Sequence, residues 1–183
     1  VKTNDSILSG YENIVFENGQ GLLLDQNNTE YFPHLTPSNT GSQNPLKIIS
    51  KSFSDKKNLR IEACYVTRTY LTRHGAGRLD NECKREDINN DMFDHTNVSN
   101  PHQGTLRYGF MLTGSLVQRV SNDFQLLAGR YPYISKCSLA ITHINEYITD
   151  YIWNLNYGYE TTYMSDGETY RNVRVREHLS DFI

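Results

Sequence analysis

A glutamine lies between two glycines in the segment NGQG, residues 18–21, where two short apolar runs meet. The glycines let the backbone turn sharply and let a ligand approach it closely. The amide of Gln20 has both donors and an acceptor, so it could bind a phosphate or the edge of a base. A plain turn between two strands with an exposed Gln20 explains the same residues, and the spacing alone leaves both interpretations open.

A second candidate is the donor-rich loop TPSNTG at residues 36–41. The hydroxyl group of Thr36, which opens the loop, and the amide of Asn39 could hold a phosphate or a ribose. The same residue types also form ordinary turns, in which polar side chains bond to the neighbouring backbone. We therefore expect a loop here, with ligand binding as the functional alternative.

A third candidate follows a predicted strand over residues 61–72, in which apolar and polar residues alternate. The strand leads into Arg73 and His74 and then into a Gly-x-Gly turn that begins at Gly75. An arginine beside such a turn suits an anion, and a histidine there could titrate near neutral pH. A turn with a satisfied histidine and solvated arginines is the alternative.

Polar groups also follow predicted strands nearer the C-terminus. His143 and Asn145 lie at the end of a predicted buried strand over residues 137–144. A second group is formed by Ser165, Asp166 and Gly167. Since α/β sheets bind ligands at the carboxyl ends of parallel strands, both groups are candidates for ligand contacts. Taken singly, each group favours ordinary loop chemistry.

Neither a metal site nor a known catalytic motif stands out. The six histidines lack the spacing of metal ligands. The sequence contains neither a GxxxxGK[ST] phosphate loop nor a GxSxG nucleophile motif. We therefore assign no catalytic residue and no metal ligand.

The composition is that of a globular domain. The chain has 183 residues with 37% hydrophobic content and a net charge of -3, which provides a core but no basic excess for nucleic-acid binding. No apolar run approaches the roughly 20 residues that cross a bilayer. Three separated cysteines without a CxxC pair fit reduced thiols better than disulfides. We expect one cytoplasmic domain over residues 1–183, with neither a nucleic acid nor a membrane as partner.

The hydrophobic patterns predict strands interspersed with helices. Short buried strands are expected at 12–16 and 21–24, and a helix or strand at 46–53. A polar surface insertion is expected at 79–104, with helical propensity at 81–88. A helix over 110–120, a helix or strand at 146–155 and an edge strand within 164–177 follow.

In their order and spacing, three segments resemble adenylosuccinate synthetase. They are IVFENGQGLLLD (14–25), EYFPHLTPSNTG (30–41) and VTRTYLTRHGAGRLDNE (66–82). The family has FEGAQGTLLD, TYP-x-VTSSNTT and R-x-Y-x-TR-x-GAG in the same order. Weaker similarities follow: GTLRYGF (104–110) to the family's arginine-rich GRRRRTGW, LAITHIN (139–145) to LTKLD, and MSDGETYR (164–171) to STGPDR. The resemblance covers nearly the whole chain, but only about the C-terminal half of a complete enzyme.

The resemblance implies an α/β fold with a central, mostly parallel sheet and flanking helices, like that of P-loop NTPases, with its N-terminal part missing. The family reaction phosphorylates the purine O6 of inosinate with GTP and then displaces phosphate with the amine of L-aspartate, and it requires Mg²⁺. By resemblance, Gln20 and Thr36 would bind the inosinate nucleotide. The further substrate positions are Asn39, Arg73, His74, Gly75 and Arg107. The GTP positions are His143, Asn145, Ser165, Asp166 and Gly167.

This chain departs from the family at several functional positions. The N-terminal phosphate loop with its catalytic Asp, and the catalytic His that follows, have no counterpart here. The arginine cluster is reduced to Arg107, which puts aspartate binding in doubt because other residue types do not replace a bidentate guanidinium. Asn145 stands where the family has an Asp that accepts two N–H bonds from guanine, so ATP becomes an alternative to GTP. His143 replaces a Lys.

Three functions remain open at this point. The chain could be part of a purine-biosynthesis ligase, homodimeric like its family, whose missing half belongs to a longer precursor or a partner chain. It could be a catalytically inactive or regulatory relative that binds a purine nucleotide or a protein partner. It could also be a structural remnant without a ligand.

Overall fold

The computed structural model of the chain describes residues 8, 10–53, 59–92, 97, 99, 101–102, 104–129, 134–147, 161–165 and 170–173. These residues form a mixed α/β structure, as expected. The chain divides into two compact units. The first comprises Val1–Ala63 with Arg119–Ser135, and the second comprises Cys64–Gln118 with Lys136–Ile183.

The described residues form short 3₁₀ turns, α-helices and strands in alternation. The 3₁₀ turns are Leu22–Leu24 and Thr29–Tyr31, and the α-helices are α1 (Gln43–Ser52), α2 (Arg85–Ile88) and α3 (Thr113–Ala128). The strands are β1 (Ile61–Arg68), β2 (Tyr70–Arg73), β3 (Glu82–Cys83), β4 (Arg107–Phe110), β5 (Ile134–Thr142), β6 (Thr161–Ser165) and β7 (Tyr170–Val173).

The strands form two sheets. The four-stranded sheet has the order β1-β5-β6-β7, in which β5 and β6 run parallel and β7 is antiparallel to β6. The three-stranded sheet has the order β2-β4-β3, and both of its pairs are antiparallel. Of the four strand pairs whose direction is described, β5 with β6 is parallel and the other three are antiparallel, so the mostly parallel sheet that the resemblance implies is not shown.

Strand β5 is the buried strand that its apolar run predicts. The exposed fraction of Leu139 is 0% and that of Ile141 is 1%. Both edges of β5 are paired, to β1 and to β6, so neither edge of the strand is open to solvent. A continuous apolar sequence suits this position because a strand inside a sheet can be covered on both faces.

Each unit has its own apolar cluster. In the first unit, Leu46 and Ile49 are three residues apart on one face of α1, and Phe16, Phe53, Leu59 and Ile61 pack against them. In the second unit the buried members are Tyr70, Ile88, Met92 and Tyr108, which come from β2, β4, α2 and the turn after α2. The apolar residues of the second cluster therefore anchor the three-stranded sheet to α2.

The predicted strands at 12–16 and 21–24 are wrong. Residues 13–19 have no regular structure, Leu22–Leu24 is a 3₁₀ turn, and Val15 is 91% exposed. The side-chain amide of Asn28 donates to the carbonyl oxygens of Leu22 and Leu23. Because those carbonyls are satisfied locally, this stretch has no need of a neighbouring strand.

The other predicted elements are confirmed in the main. The segment at 46–53 is helical, and the strand at 61–72 is present with a break at Thr69. The helix predicted from residue 110 begins at Thr113 instead, because Phe110 pairs with Tyr70 in the sheet. The edge strand is β7, and residues 148–155 lie outside the described residues.

The described part of the polar insertion at 79–104 includes regular elements. It contains β3 and, within the stretch of predicted helical propensity, the four residues of α2. None of the helices in the described part of the chain has the length and apolar character of a membrane span.

The close approach of β4 to the chain before β3 gives the first testable prediction. A Cβ atom added at Gly109 would lie 2.8 Å from the backbone oxygen of Asp80 and 3.1 Å from that of Asn81. We expect Gly109→Ala to lower the free energy of unfolding by about 1–3 kcal/mol, because backbone atoms cannot move aside cheaply. Denaturant-induced unfolding measures this change.

Gly114→Ala is the matched control, since a Cβ at Gly114 in α3 has nothing within 4 Å. Helix propensity predicts that this variant is as stable as the unmodified protein or more stable. Equal stability of the two alanine variants would contradict the described packing of β4.

Candidate functional site

The first two candidate segments are joined to each other in the first unit. The carboxylate of Asp25 accepts a hydrogen bond from the backbone N–H of Thr40 at 2.7 Å. Its other oxygen accepts from the backbone N–H of Asn27 at 2.9 Å and from the side-chain amide of Asn39 at 3.4 Å. One carboxylate therefore holds the glutamine turn (residues 18–25) against the TPSNTG loop (residues 36–41).

Further hydrogen bonds tie the glutamine turn and the adjacent Gln26 to the TPSNTG loop. They run from Thr40 Oγ1 to Gly21 O at 2.9 Å, from Asn18 Nδ2 to Gly41 O at 2.6 Å, from Thr36 N to Leu24 O at 2.9 Å, and from Gln26 N to Ser38 O at 3.0 Å. We call the glutamine turn and the TPSNTG loop together the double loop. Segments that are far apart in sequence thus form one local structure.

The charge of Asp25 is stabilised where it lies. Partial burial raises the pKa of its carboxyl group, but hydrogen bonds from Asn27, Thr40, Asn39 and Gly41 outweigh that effect and leave the pKa below its usual value. The folded pKa lies below the unfolded one, so this contribution to stability is present at neutral pH. It is lost as the pH falls through the folded pKa.

Gln20 has an unusual backbone conformation. Its φ angle is +69°, and its side chain is exposed. The left-handed region costs a residue with a Cβ about 1–2 kcal/mol. Cβ atoms added at the neighbouring Gly19 and Gly21 would meet nothing within 4 Å, so the backbone on both sides of Gln20 is open to approach. Strain of this kind concentrates at binding and catalytic sites, which favours the functional interpretation of Gln20.

The TPSNTG loop uses part of its donor set internally. The side chain of Asn39 donates to Asp25 and accepts from the amide of Gln26 at 3.4 Å. Thr36 is half-buried, and its backbone N–H bonds to Leu24. Asn39 therefore supports the frame of the loop, whereas the Thr36 hydroxyl makes no hydrogen bond to another described residue.

The third candidate segment lies in the second unit and is organised by Arg107. Nη1 of this guanidinium donates to the carbonyl oxygens of Gly75 at 3.0 Å and Gly77 at 2.7 Å. Nε donates to Glu82 Oε1 at 2.7 Å, and Nη2 donates to Glu82 Oε2. Gly75 and Gly77 have φ angles of +72° and +104°, which only glycine adopts readily.

The interaction of Arg107 with Glu82 also shifts both ionisation equilibria. The hydrogen bond from Arg107 lowers the pKa of Glu82, and the same bond raises the pKa of Arg107. Four of the five N–H donors of Arg107 are engaged within the protein. The arrangement makes Arg107 a residue that shapes the turn, with little capacity left for a ligand.

Arg73 and His74 also bond within the protein. Nε of Arg73 donates to the carbonyl oxygen of Ala76 at 3.2 Å. Nε2 of His74 lies 2.8 Å from Oδ1 of Asn97, which assigns the ring proton to Nε2 because an amide oxygen can only accept. Nδ1 of His74 is buried and has no hydrogen-bond partner among the described residues.

The predicted triphosphate positions that the structure describes lie near the carboxyl edge of the parallel strand pair. Ile141 of β5 is paired with Met164 of β6, so His143 and Ser165 follow at the same edge of the sheet. His143 has a φ angle of +62°, and its Nδ1 lies 2.8 Å from the Thr142 hydroxyl. Asn145 is exposed in the turn after β5, and Asp166 and Gly167 lie outside the described residues.

A polar contact that the sequence does not signal lies close to His143. The hydroxyl of Tyr70 donates to Glu146, and the ring of Tyr70 meets that of His143 edge-on at 6.0 Å. Burial, followed by the Glu146 hydrogen bond, raises the pKa of Tyr70. Nη1 of Arg68 lies 3.4 Å from the same hydroxyl. In the sequence, only the alternation of residues along β2 could have indicated that Tyr70 is buried. No sequence pattern indicates that Glu146 accepts its hydrogen bond.

The structure thus brings the candidates together within each unit. The segments that carry Gln20, Thr36 and Asn39 are hydrogen-bonded to each other in the first unit, and Arg107 binds the glycine turn in the second. Within the described ranges, no group of three or more His, Cys, Asp or Glu side chains could hold a metal ion. Comparison of the chain with protein-family models, curated proteins and solved structures found no match.

The backbone strain at Gln20 yields a prediction that separates strain from packing. We expect Gln20→Gly to be more stable than Gln20→Ala by about 1 kcal/mol, because only glycine adopts a positive φ without a Cβ clash. Both variants lose the same amide, so the difference reports the backbone alone. Denaturant unfolding curves of the two variants measure it, and equal midpoints would show that position 20 is unstrained.

The network at Arg107 yields a second prediction. In Arg107→Lys a single ammonium replaces the planar fork, so the glycine turn loses at least one carbonyl contact. We expect the melting temperature to fall by about 2–4 °C and the amides of residues 74–77 to exchange faster.

Arg85→Lys is the control for this change, because among the described residues the ion-pair partner of Arg85 is the adjacent, exposed Glu86. That variant should melt within about 1 °C of the unmodified protein. If Arg107→Lys behaves like the control, Arg107 does not organise the turn.

Proposed function

We propose that this chain binds a purine nucleoside monophosphate at the double loop, as a divergent relative of adenylosuccinate synthetase. The observation that carries the proposal is the conformation of Gln20. It is an exposed amide held at positive φ between two open glycines, in a turn that is bonded to the TPSNTG loop. The same two segments carry the sequence resemblance to the nucleotide-binding motifs of that family.

The chemistry of the double loop assigns a role to each candidate residue. The Gln20 amide can donate and accept, as recognition of the edge of a purine requires. The Thr36 hydroxyl can donate to a phosphate oxygen. Asp25 carries a negative charge that would repel the phosphate, so we place the phosphate at Thr36 and give Asp25 and Asn39 a role in the frame.

The second unit would supply the triphosphate positions in the same proposal. His143 and Asn145 follow β5, and Ser165 is the last residue of β6; the carboxyl ends of parallel strands are where α/β proteins bind nucleotides. A P-loop-like sheet, a GTP or ATP site there and homodimer formation belong to this proposal. The described residues offer no cluster of ligands that fits Mg²⁺, so no step is assigned to a metal.

A second candidate function is the complete ligase reaction, with the missing phosphate loop on a longer polypeptide or a partner chain. The engagement of Arg107 favours binding without turnover instead. By resemblance this residue is what remains of the arginine cluster that holds L-aspartate, and here its donors are directed to Glu82 and the glycine turn. We therefore propose that this chain binds the nucleotide and does not consume it.

Thermal unfolding in the presence of inosinate, guanylate, deoxyguanylate and adenylate tests nucleotide binding. A ligand at 100 times its Kd stabilises the folded state by about 2.7 kcal/mol, which corresponds to about 5–10 °C for a chain of this size. We expect Gln20→Ala and Thr36→Ala to abolish the shift while each variant remains folded.

Gln43→Ala and Thr29→Ala are the matched controls in the same unit, and they should retain the shift. The absence of a shift with every nucleotide would overturn the proposal, and a shift retained in both site variants would place the site elsewhere. Incubation with inosinate, GTP, aspartate and Mg²⁺ distinguishes the second candidate, because only a ligase forms adenylosuccinate.

A further inference from the structure

The double loop has one shared acceptor at its centre. Asp25 belongs to the glutamine turn, and its donors come from the residues that follow it in the chain and from the TPSNTG loop. Asn27 follows Asp25 in the chain, whereas Asn39 and Thr40 belong to the TPSNTG loop. The two carboxylate oxygens accept from different donors. The carboxylate therefore connects Asp25 to the backbone of Thr40, which lies 15 residues further along the chain.

Only the ionised form of Asp25 satisfies all of these donors. One oxygen accepts from Thr40, and the other accepts from Asn27 and Asn39. A protonated carboxyl group, or the amide of an asparagine in its place, would direct a donor at one of these N–H groups. Two facing donors repel each other and leave a partly buried N–H group without an acceptor, which costs stability locally.

We propose that ionised Asp25 is a positioning residue that sets Gln20 and Thr36 at the spacing required for a nucleotide, so that acid opens the double loop and releases the ligand. Asp25 does not touch the ligand in this scheme. The inference rests on the proposed function, since it assigns a regulation to the same site. It also makes a claim about the protein without ligand, namely that the two loops separate when Asp25 loses its charge.

The pH response of Asp25 depends on the groups that face its carboxylate. The described groups that face it are the backbone N–H groups of Asn27, Thr40 and Gly41 and the side-chain amide of Asn39, none of which titrates. These bonds keep the pKa of Asp25 below its usual value, so the double loop is closed at neutral pH and opens only in acid.

Asp25→Asn tests the proposal, with Asp91→Asn as the matched control. Asp91 is exposed in the turn after α2 and belongs to the second unit, so its replacement makes the same chemical change away from the double loop. At pH 7 we expect Asp25→Asn to weaken binding of inosinate, guanylate or adenylate at least tenfold by titration calorimetry. Asp91→Asn should leave the affinity unchanged.

The pH profile separates positioning from general destabilisation. In the unmodified protein and in Asp91→Asn, the affinity should fall as the pH drops through the depressed pKa of Asp25. In Asp25→Asn this limb of the profile should be missing, while the titration of the nucleotide phosphate is common to all three proteins. A limb that persists in Asp25→Asn would overturn the positioning role.

Amide exchange without ligand tests the closed double loop independently of nucleotide binding. The Thr40 N–H should be protected in the unmodified protein and should exchange at least tenfold faster in Asp25→Asn. Unchanged protection would overturn the inference even if nucleotides bind. Lost protection with unchanged affinity would overturn the positioning role, and a protein that binds no purine nucleotide would overturn both that role and the proposed function.

A measurement on the unmodified protein covers the case in which Asp25→Asn does not fold. The amide resonance of Thr40 should titrate between pH 6 and acid pH with the midpoint of Asp25, because its acceptor changes protonation state. A Thr40 resonance that does not move in this range would overturn the inference without any variant.

Discussion

The hydrogen bonds between the Asp25 carboxylate and the N–H groups of the TPSNTG loop are the interaction on which the proposed site depends. Apart from the short 3₁₀ turn at Leu22–Leu24, neither the glutamine turn nor the loop has regular backbone structure of its own, so contacts between the two hold them together. A carboxylate is suited to this task because its two oxygens accept several bonds in different directions. Most of the contacts that define the double loop are made by side chains to the backbone.

In the second unit a loop is also held by a charged side chain, but the charge is positive. Arg107 holds the glycine turn through the carbonyl oxygens of Gly75 and Gly77, and Glu82 balances its charge. In both units a charged side chain supplies hydrogen bonds to a loop that lacks the backbone ladder of a strand or helix. Such a side chain is committed to the frame, and this limits which residues remain to bind a ligand.

Strained backbone marks two of the residues that the sequence singles out. Gln20 and His143 both have positive φ angles, although neither is a glycine. The conformation of His143 is supported by bonds from its neighbours, since Thr69 donates to its carbonyl oxygen at 3.2 Å. For Gln20 the support comes from the double loop around it, which links the strain at one residue to the hydrogen bonds of Asp25.

The sequence by itself determined part of the regular structure, including β1, β5 and α3, and the places where polar chemistry could occur. Local sequence patterns indicate features that depend on neighbouring residues in the chain. Examples are the apolar run of β5, the alternation of β1 and the glycines at 75 and 77. The run at 12–16 misled because an apolar strand pattern does not reveal whether a partner strand is available.

Only the tertiary structure decided the direction in which each polar group points. Asn39 and Arg107 look like ligand-binding residues in a donor-rich sequence, yet their donors are used by Asp25, Glu82 and backbone carbonyls. A hydrogen bond depends on where its partner lies in space. For these residues the partner is 14 to 32 positions away in the chain, beyond the reach of any local pattern.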